Sequence, residues 1–342
     1  MTKYIAKRLL MMIPTFFGIT LMCFVVIYLA PGGPIEQKIR ALRMGAQTAG
    51  GEATNSGGDV GVSAEVIEAL KKQYGFDKPV VVRYGLWLKN IFTLEFGESF
   101  TYYRPAIDVI VSKFPVSIQF GLASIILTYI VCIPLGILKA VRDGTTFDSV
   151  SSVILFILYS IPSVMLAILL IVYFAGGSYF DWFPMQGLYS DQYESLNFFE
   201  KIGDRIHHFV LPLICYMVNS FTVLTLLMKN SLLDEIKLDY IRTARAKGLD
   251  EKTVYFKHAL RNALIPVVTG VGSFIGFFLS GSLIIETIFG LDGIGLLMFD
   301  SMLARDYNVI MALIFLSTVI SLVARLISDI LYVVVDPRID FS

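Results

Sequence analysis

Six stretches of this chain are each long and apolar enough to cross about 30 Å of hydrocarbon, which takes about 20 helical residues. They cover residues 9–30, 115–138, 150–175, 208–228, 265–289 and 309–335. Hydrocarbon offers no water to backbone N–H and C=O groups, so stretches of this kind must be helical and bundled. Only 16% of the 342 residues are charged, against about 25% in soluble domains. The expected fold class is an all-α membrane protein with six transmembrane helices. Pro14, Pro134, Pro162 and Pro212 lie inside spans, where neighbouring groups can satisfy the carbonyls they free.

Short-loop Lys/Arg counts set the expected orientation. Lys3, Lys7 and Arg8 precede the first span, and Lys139 and Arg142 follow the second. The loop after the fourth span holds eight basic residues, from Lys229 to Arg261. By contrast, residues 176–207 hold only Lys201 and Arg205 against five acids. Both termini are therefore expected in the cytoplasm. The first span is read as an uncleaved anchor, because its 22 apolar residues exceed a signal-peptide core of roughly 7–15.

The organisation expected is residues 1–30 as N-terminus and first helix, 31–114 as a periplasmic segment, 115–335 as the transmembrane core, and 336–342 as a cytoplasmic tail. Within the periplasmic segment, residues 44–61 are rich in Gly, Ser, Thr and Ala and read as a flexible insertion. Ser63, Glu65, Lys71, Lys72 and Gly75 mark a small helix with cap, charges and stop. A second helix is expected around residues 81–90. The aromatic stretch 182–193 reads as interfacial anchoring.

Several chemistries lack their residues. Cys23, Cys132 and Cys215 each lie in an apolar run without metal or redox spacing. No Gly-Lys-Ser or Gly-Lys-Thr occurs, so no phosphate-binding loop is expected. His-Glu-x-x-His and Gly-x-Ser-x-Gly are missing as well. Zero net charge gives nucleic acid no purchase.

The loop 230–264 is the most informative region. Leu238, Ile241 and Arg245 share a helical stripe, Ala244 and Ala246 are small, and Gly248 stands where a left-handed cap would end the helix. Asp250 can start a second helix running to Leu264. Two short helices at an angle would present a basic, small-residue surface. Composition leaves two readings open: a knuckle pushed by a soluble motor, or a solvated loop that only enforces topology.

Residues Thr243-Ala-Arg-Ala-Lys-Gly248 and His258-Ala-Leu-Arg-Asn-Ala-Leu-Ile-Pro266 resemble the EAA loop of ABC importer permeases, in the oligopeptide/dipeptide/nickel family. Arg242 stands where the general motif has Glu, and Leu260-Arg261 where it has Leu-Pro, so no Glu-based ion pair is carried over. Further matches run along the chain: Ile13-Pro-Thr15, Ala30-Pro-Gly32, Tyr74-Gly-Phe-Asp-Lys-Pro79, Phe96-Gly-Glu-Ser99, Ile133-Pro-Leu-Gly136, Ser160-Ile-Pro-Ser163, Glu286 to Gly295, Ala304-Arg-Asp-Tyr307 and Asp336-Pro-Arg338. The residues 44–61 insertion, Ala175 to Asp181 and the Asp336 to Phe341 ending resemble the Yej branch, associated with peptide and microcin C uptake.

The resemblance implies a type I ABC importer fold in the bacterial inner membrane. It implies a second homologous permease, two cytoplasmic ATPase subunits that bind the ATP, and a periplasmic substrate-binding protein. The residues expected to couple to the ATPase are Tyr240, Arg242, Thr243, Ala244, Arg245, Ala246, Lys247, Gly248, His258, Arg261 and Asn262. A pathway or gate is expected at Gly272, Ser273, Gly276, Ser280 and Glu286, on a small-sided fifth helix. Glu286 also reads as a cap within the outer turn. Arg325 and Asp329, four apart in the sixth span, read as an ion pair. The competing hypothesis is an ion-gradient-driven secondary transporter, but the span centres hold almost no charge.

Overall fold

The computed structural model describes residues 2–29, 78–177, 179–271 and 281–335, without the side chains of residues 2–6, 26–29, 219 and 332–335. The expected insertion 44–61, the small helix near Ser63 and the tail 336–342 lie outside the described residues, as do Gly272, Ser273, Gly276 and Ser280. Regular structure among the described residues is helical, with one isolated bridge between Glu98 and Pro105.

Three helices are long and apolar enough to span by themselves: α1 (Thr2–Leu29), α3 (Ala106–Val141) and a last helix, Tyr307–Val335. Between α1 and α3 lies α2 (Val80–Phe92), close to the second external helix expected. Two bent helix pairs are long and apolar enough to cross only if each pair is taken together. α4 (Thr146–Ser160) and α5 (Ser163–Phe174) meet at 99°. α6 (Phe198–Ile236) bends by 53° near its middle. The fifth expected span is seen at its two ends, Ile265–Thr269 and Leu283–Ile288.

The third span departs from expectation. Ile161 and Pro162 are both extended (ψ 120° and 138°), which ends α4 and starts α5 in a new direction. The residue before a proline is pushed away from helical geometry. Halves of 15 and 12 residues are about 22 and 18 Å long, so neither reaches across alone. Pro14, Pro134 and Pro212 sit inside continuous helices. Their neighbourhoods tolerate the lost hydrogen bond, whereas that of Pro162 does not.

The chain divides into two compact units. In the first (residues 1–12, 112–299 and 317–342), one apolar core joins α3, α5 and α6 to Leu283–Ile288 through Phe120, Leu166, Leu211, Cys215, Ile285 and Phe289. A second core gathers Cys132, Leu224, Met228, Leu232, Ile241, Val254 and Ala263. Gly136 explains the close approach of α3 and α6: a Cβ there would stand 2.6 Å from Met228 Cβ and 2.8 Å from Thr225 O. Small residues permit such contacts where hydrocarbon supplies no hydrophobic drive between helices. Asp329 pairs with Arg8 Nε at 3.2 Å. This corrects the expected Arg325–Asp329 pair: a four-residue spacing allows that contact, and the N-terminal helix supplies another.

The second unit covers residues 13–111 and 300–316. Phe16 packs on Phe92 and Phe315 with ring centroids 6.0 and 5.8 Å away, and Thr20 Oγ1 lies 3.0 Å from the Tyr84 hydroxyl. Two motifs separated by some two hundred residues meet here. Ser99 Oγ donates to Asp306 Oδ2 at 2.5 Å, and Thr101 N–H donates to the same oxygen at 3.1 Å. Asn308 Nδ2 donates to Glu98 O at 2.7 Å. Asp306 is fully buried and caps the last helix, accepting from Val309 N–H. Gly97 is left-handed (φ +85°), and a Cβ would approach Asn308 Nδ2 to 2.9 Å.

Candidate coupling site

α6 has 39 residues, about 58 Å of helix. It outruns the hydrocarbon layer and carries the loop 230–264 on its end. Leu238, extended, turns the chain into α7 (Asp239–Ala246). Ile241 and Ala244 form the buried side of α7, against Leu232, Val254 and Ala263. Leu238 is 46% exposed, so the buried stripe is Ile241–Ala244 in place of the expected Leu238–Ile241–Arg245. The i, i+3 step points Ile241 and Ala244 to one face. Ala244 is thus a core residue, and the small-residue surface it was expected to share is left to Ala246.

Gly248 ends the elbow in the left-handed region (φ +80°), and a Cβ there would meet nothing within 4 Å. Glycine stands here for its conformation, since L side chains are disfavoured at positive φ. Asp250 caps the next helix by accepting from Thr253 N–H at 3.2 Å. The Thr253 side chain and amide hold the Asp250 carboxyl below the usual carboxylate range. That helix, Glu251–Ala263, passes through a π-helical stretch, Val254–Ala259. Such stretches rotate the residues that follow and cluster at functional sites. The expected second helix to Leu264 is therefore present but underwound at its centre.

Four contacts brace the elbow. Arg245 grips Glu251 with both arms of its fork, Nε to Oε1 at 2.8 Å and Nη2 to Oε2 at 3.2 Å. Glu235, on the last turn of α6, accepts from the Tyr240 hydroxyl and from Asn262 Nδ2. Asn262 Nδ2 also donates to the Tyr240 hydroxyl at 3.1 Å. Tyr240, Arg245 and Asn262 thus hold the loop to itself, with Glu235 and Glu251 as partners the sequence did not single out. Arg242, Thr243, Ala246, Lys247 and Gly248 form the exposed face, Arg261 is exposed on the second helix, and His258 is half-buried.

Behind the elbow is a charged cluster. Lys139, with no exposed surface, faces Asp148 Oδ1 at 3.0 Å and donates to Asp148 O, Ser151 and Ser152. Lys229 reaches Asp148 Oδ2 at 2.7 Å and Asp143 at 2.8 Å. The four residues tie the end of α3 and the start of α4 to α6, about two turns before α6 ends at Ile236. Lys139 counted in the sequence only as a topology charge; the Thr145 cap before Asp148 was the one local sign of this site.

Glu286 is placed inside the chain with no exposed surface. Oε1 accepts from Ser117 Oγ at 2.8 Å and Tyr216 Oη at 3.2 Å; Oε2 accepts from Gly295 N–H at 2.7 Å and Leu296 N–H at 3.1 Å. The carboxylate therefore sits at the N-terminus of helix Ile294–Ala304, where the helix dipole favours an anion. A Cβ on Gly293 would stand 2.4 Å from Oε2, which gives that glycine of the Glu286 to Gly295 motif a steric reason.

Comparison with known proteins agrees with this architecture. The chain is 45% identical to the peptidoglycan transport system permease protein YejB of Agrobacterium fabrum, over all of this chain and 99% of that protein. It is 42% identical to the inner membrane ABC transporter permease protein YejB of Escherichia coli O157:H7, over the full length of both. The oligopeptide transport system permease protein AppB of Bacillus subtilis is 38% identical, again over both full lengths. With residues 132–341 matching the family pattern, helices of spanning length and an elbow at the EAA-type position, the chain belongs to the binding-protein-dependent transport system inner membrane components, as an ABC permease of the oligopeptide type close to the Yej branch.

Proposed function

We propose that this chain is one half of the pore of an ATP-driven importer for peptides or peptide-like compounds. It pairs with a second homologous permease, receives cargo from a periplasmic binding protein, and is moved by two ATPase subunits. It binds no nucleotide itself, consistent with the missing Gly-Lys-Ser/Thr. Six helices cross the inner membrane with both termini in the cytoplasm. The names of its relatives, which handle peptides or peptidoglycan, support a peptide-like cargo, including fragments of peptidoglycan. They also favour ATP over an ion gradient.

The observation that carries the coupling assignment is the elbow at Gly248. Its inner side is locked into the core by Ile241 and Ala244, and its outer side is bare, with open space beyond the glycine. A lever needs this combination, because a rigid mount transmits a push and a bare face receives a partner. The 39-residue α6 enters the elbow and the helix Glu251–Ala263 leaves it towards the fifth span, so displacement there would be carried into the spans. Gly248→Trp tests the assignment. Expression and membrane insertion should be retained, because the Cβ meets no described neighbour and the left-handed φ costs a side chain only about 1–2 kcal/mol, while copurification of the ATPase and cargo uptake are lost. Survival of both would show that the ATPase docks elsewhere.

A further inference from the structure

Beyond the elbow, the second helix of the loop carries a groove of about 740 Å³ that takes in Arg261, one of the residues expected to couple, and several residues outside that set. Its walls are Lys252, Lys257 and Arg261, and its floor is Phe256, Leu260 and Leu264. The π-helical stretch puts these cations on the side that also bears Phe256, a ring 58% exposed. All three cations are exposed, and none forms an ion pair or hydrogen bond with a described residue. The two nearby acids are engaged: Asp250 caps Thr253 while lying near Lys252, and Glu251 is held by Arg245. Lys257 and Arg261 therefore bring positive charge that no described ion pair offsets, while Lys252 shares the field of Asp250.

Depth in the membrane decides what can fill it. The fifth apolar stretch begins at residue 265, and helical rise puts Arg261 about 6 Å and Lys257 about 12 Å before it. The headgroup layer on each side of the hydrocarbon is about 5–8 Å thick. Arg261 thus lies in that layer, and Lys257, with a long flexible stem, reaches it. Phe256 and Leu260 have the chemistry of acyl-chain contacts at the same level.

We propose that this groove binds an anionic phospholipid, with the phosphate between Lys257 and Arg261, Lys252 adding charge, and an acyl chain over Phe256, Leu260 and Leu264. The assignment gives Arg261 to lipid in place of the ATPase, while Lys252, Phe256 and Lys257 lie outside the residues expected to couple.

The test uses the full chain in detergent, offered equal phosphatidylglycerol and phosphatidylcholine with the same acyl chains, with retained lipid counted by native mass spectrometry. Wild type should retain phosphatidylglycerol over phosphatidylcholine by about a hundredfold, with about a fivefold loss for each cation removed. K252Q/K257Q/R261Q should bring the two lipids near parity, while K252R/K257R should keep the preference. If the triple variant aggregates, Lys257→Gln alone carries the test through its fivefold loss. Parity in the wild type, or an undiminished preference in the Gln variants, overturns the proposal. So does loss of ATPase copurification with the lipid preference intact, which would make the groove a protein contact.

Discussion

Replacing Asp148 by Asn removes the shared anion from the cluster behind the elbow. Two ammonium groups stand 3.0 and 2.7 Å from its oxygens. At an effective dielectric of 20, each attraction is about 5–6 kcal/mol before solvation. Most of that is offset by the several kcal/mol each ion loses on leaving water, but the offset is not returned when one partner goes. Lys139 has no exposed surface, so it would be left with only hydroxyls and one carbonyl to face. Lys229 keeps Asp143, which is half-exposed, a contact worth about 0–1 kcal/mol. The expected cost is about 3–5 kcal/mol. Lys139→Met should cost less, about 1–3 kcal/mol, because Asp148 retains Lys229. The double variant should be better than the sum of the two by at least about 1 kcal/mol. Unfolding of the purified chain in mixed detergent, followed by tryptophan fluorescence and size exclusion, would measure all three. An Asp148→Asn protein within about 0.5 kcal/mol of wild type, or strict additivity, would refute the claim that this cluster holds α6 to α3 and α4.

Other outcomes follow from the same geometry. Glu286→Ala should lower stability by about 3 kcal/mol or more, since it strands buried N–H and O–H donors; the same unfolding assay reads this, and a neutral variant would mean that water replaces the carboxylate. Asp306→Asn should cost about 1–3 kcal/mol, because an amide nitrogen placed at Oδ2 meets the Thr101 N–H as donor to donor; proteolysis of the segment before α3 should then quicken. Arg245→Lys, at a partly exposed pair, should change stability by about 1 kcal/mol or less, yet loosen the elbow by losing the fork; uptake should fall more than folding does, and equal losses would contradict this.

How much could be read from sequence differs between elements for physical reasons. Lipid acts on each stretch separately, so hydropathy located the spans around α1, α3, α6 and the last helix without knowledge of their neighbours. The elbow was legible because helix caps and left-handed glycines are local: Asp250 and Gly248 do what their types and positions indicate. Proline was not decisive alone, since Pro14, Pro134 and Pro212 stay within helices while Pro162 breaks its own. Local chemistry is alike at all four, and packing selects the outcome. Ala244 looked like a surface residue until Ile241 and the second core were seen to share its face.

The sequence by itself determined that this polypeptide spans a membrane, where its basic loop lies, and which residues turn that loop. Only the tertiary structure decided who partners whom: Lys139 and Lys229 on Asp148, Ser117 and Tyr216 on Glu286, Ser99 on Asp306, Arg8 on Asp329. Burial in lipid is set by each residue's own transfer energy and so is written along the chain. A buried charge needs a counter-group from a distant segment, and that choice exists only once the helices have packed.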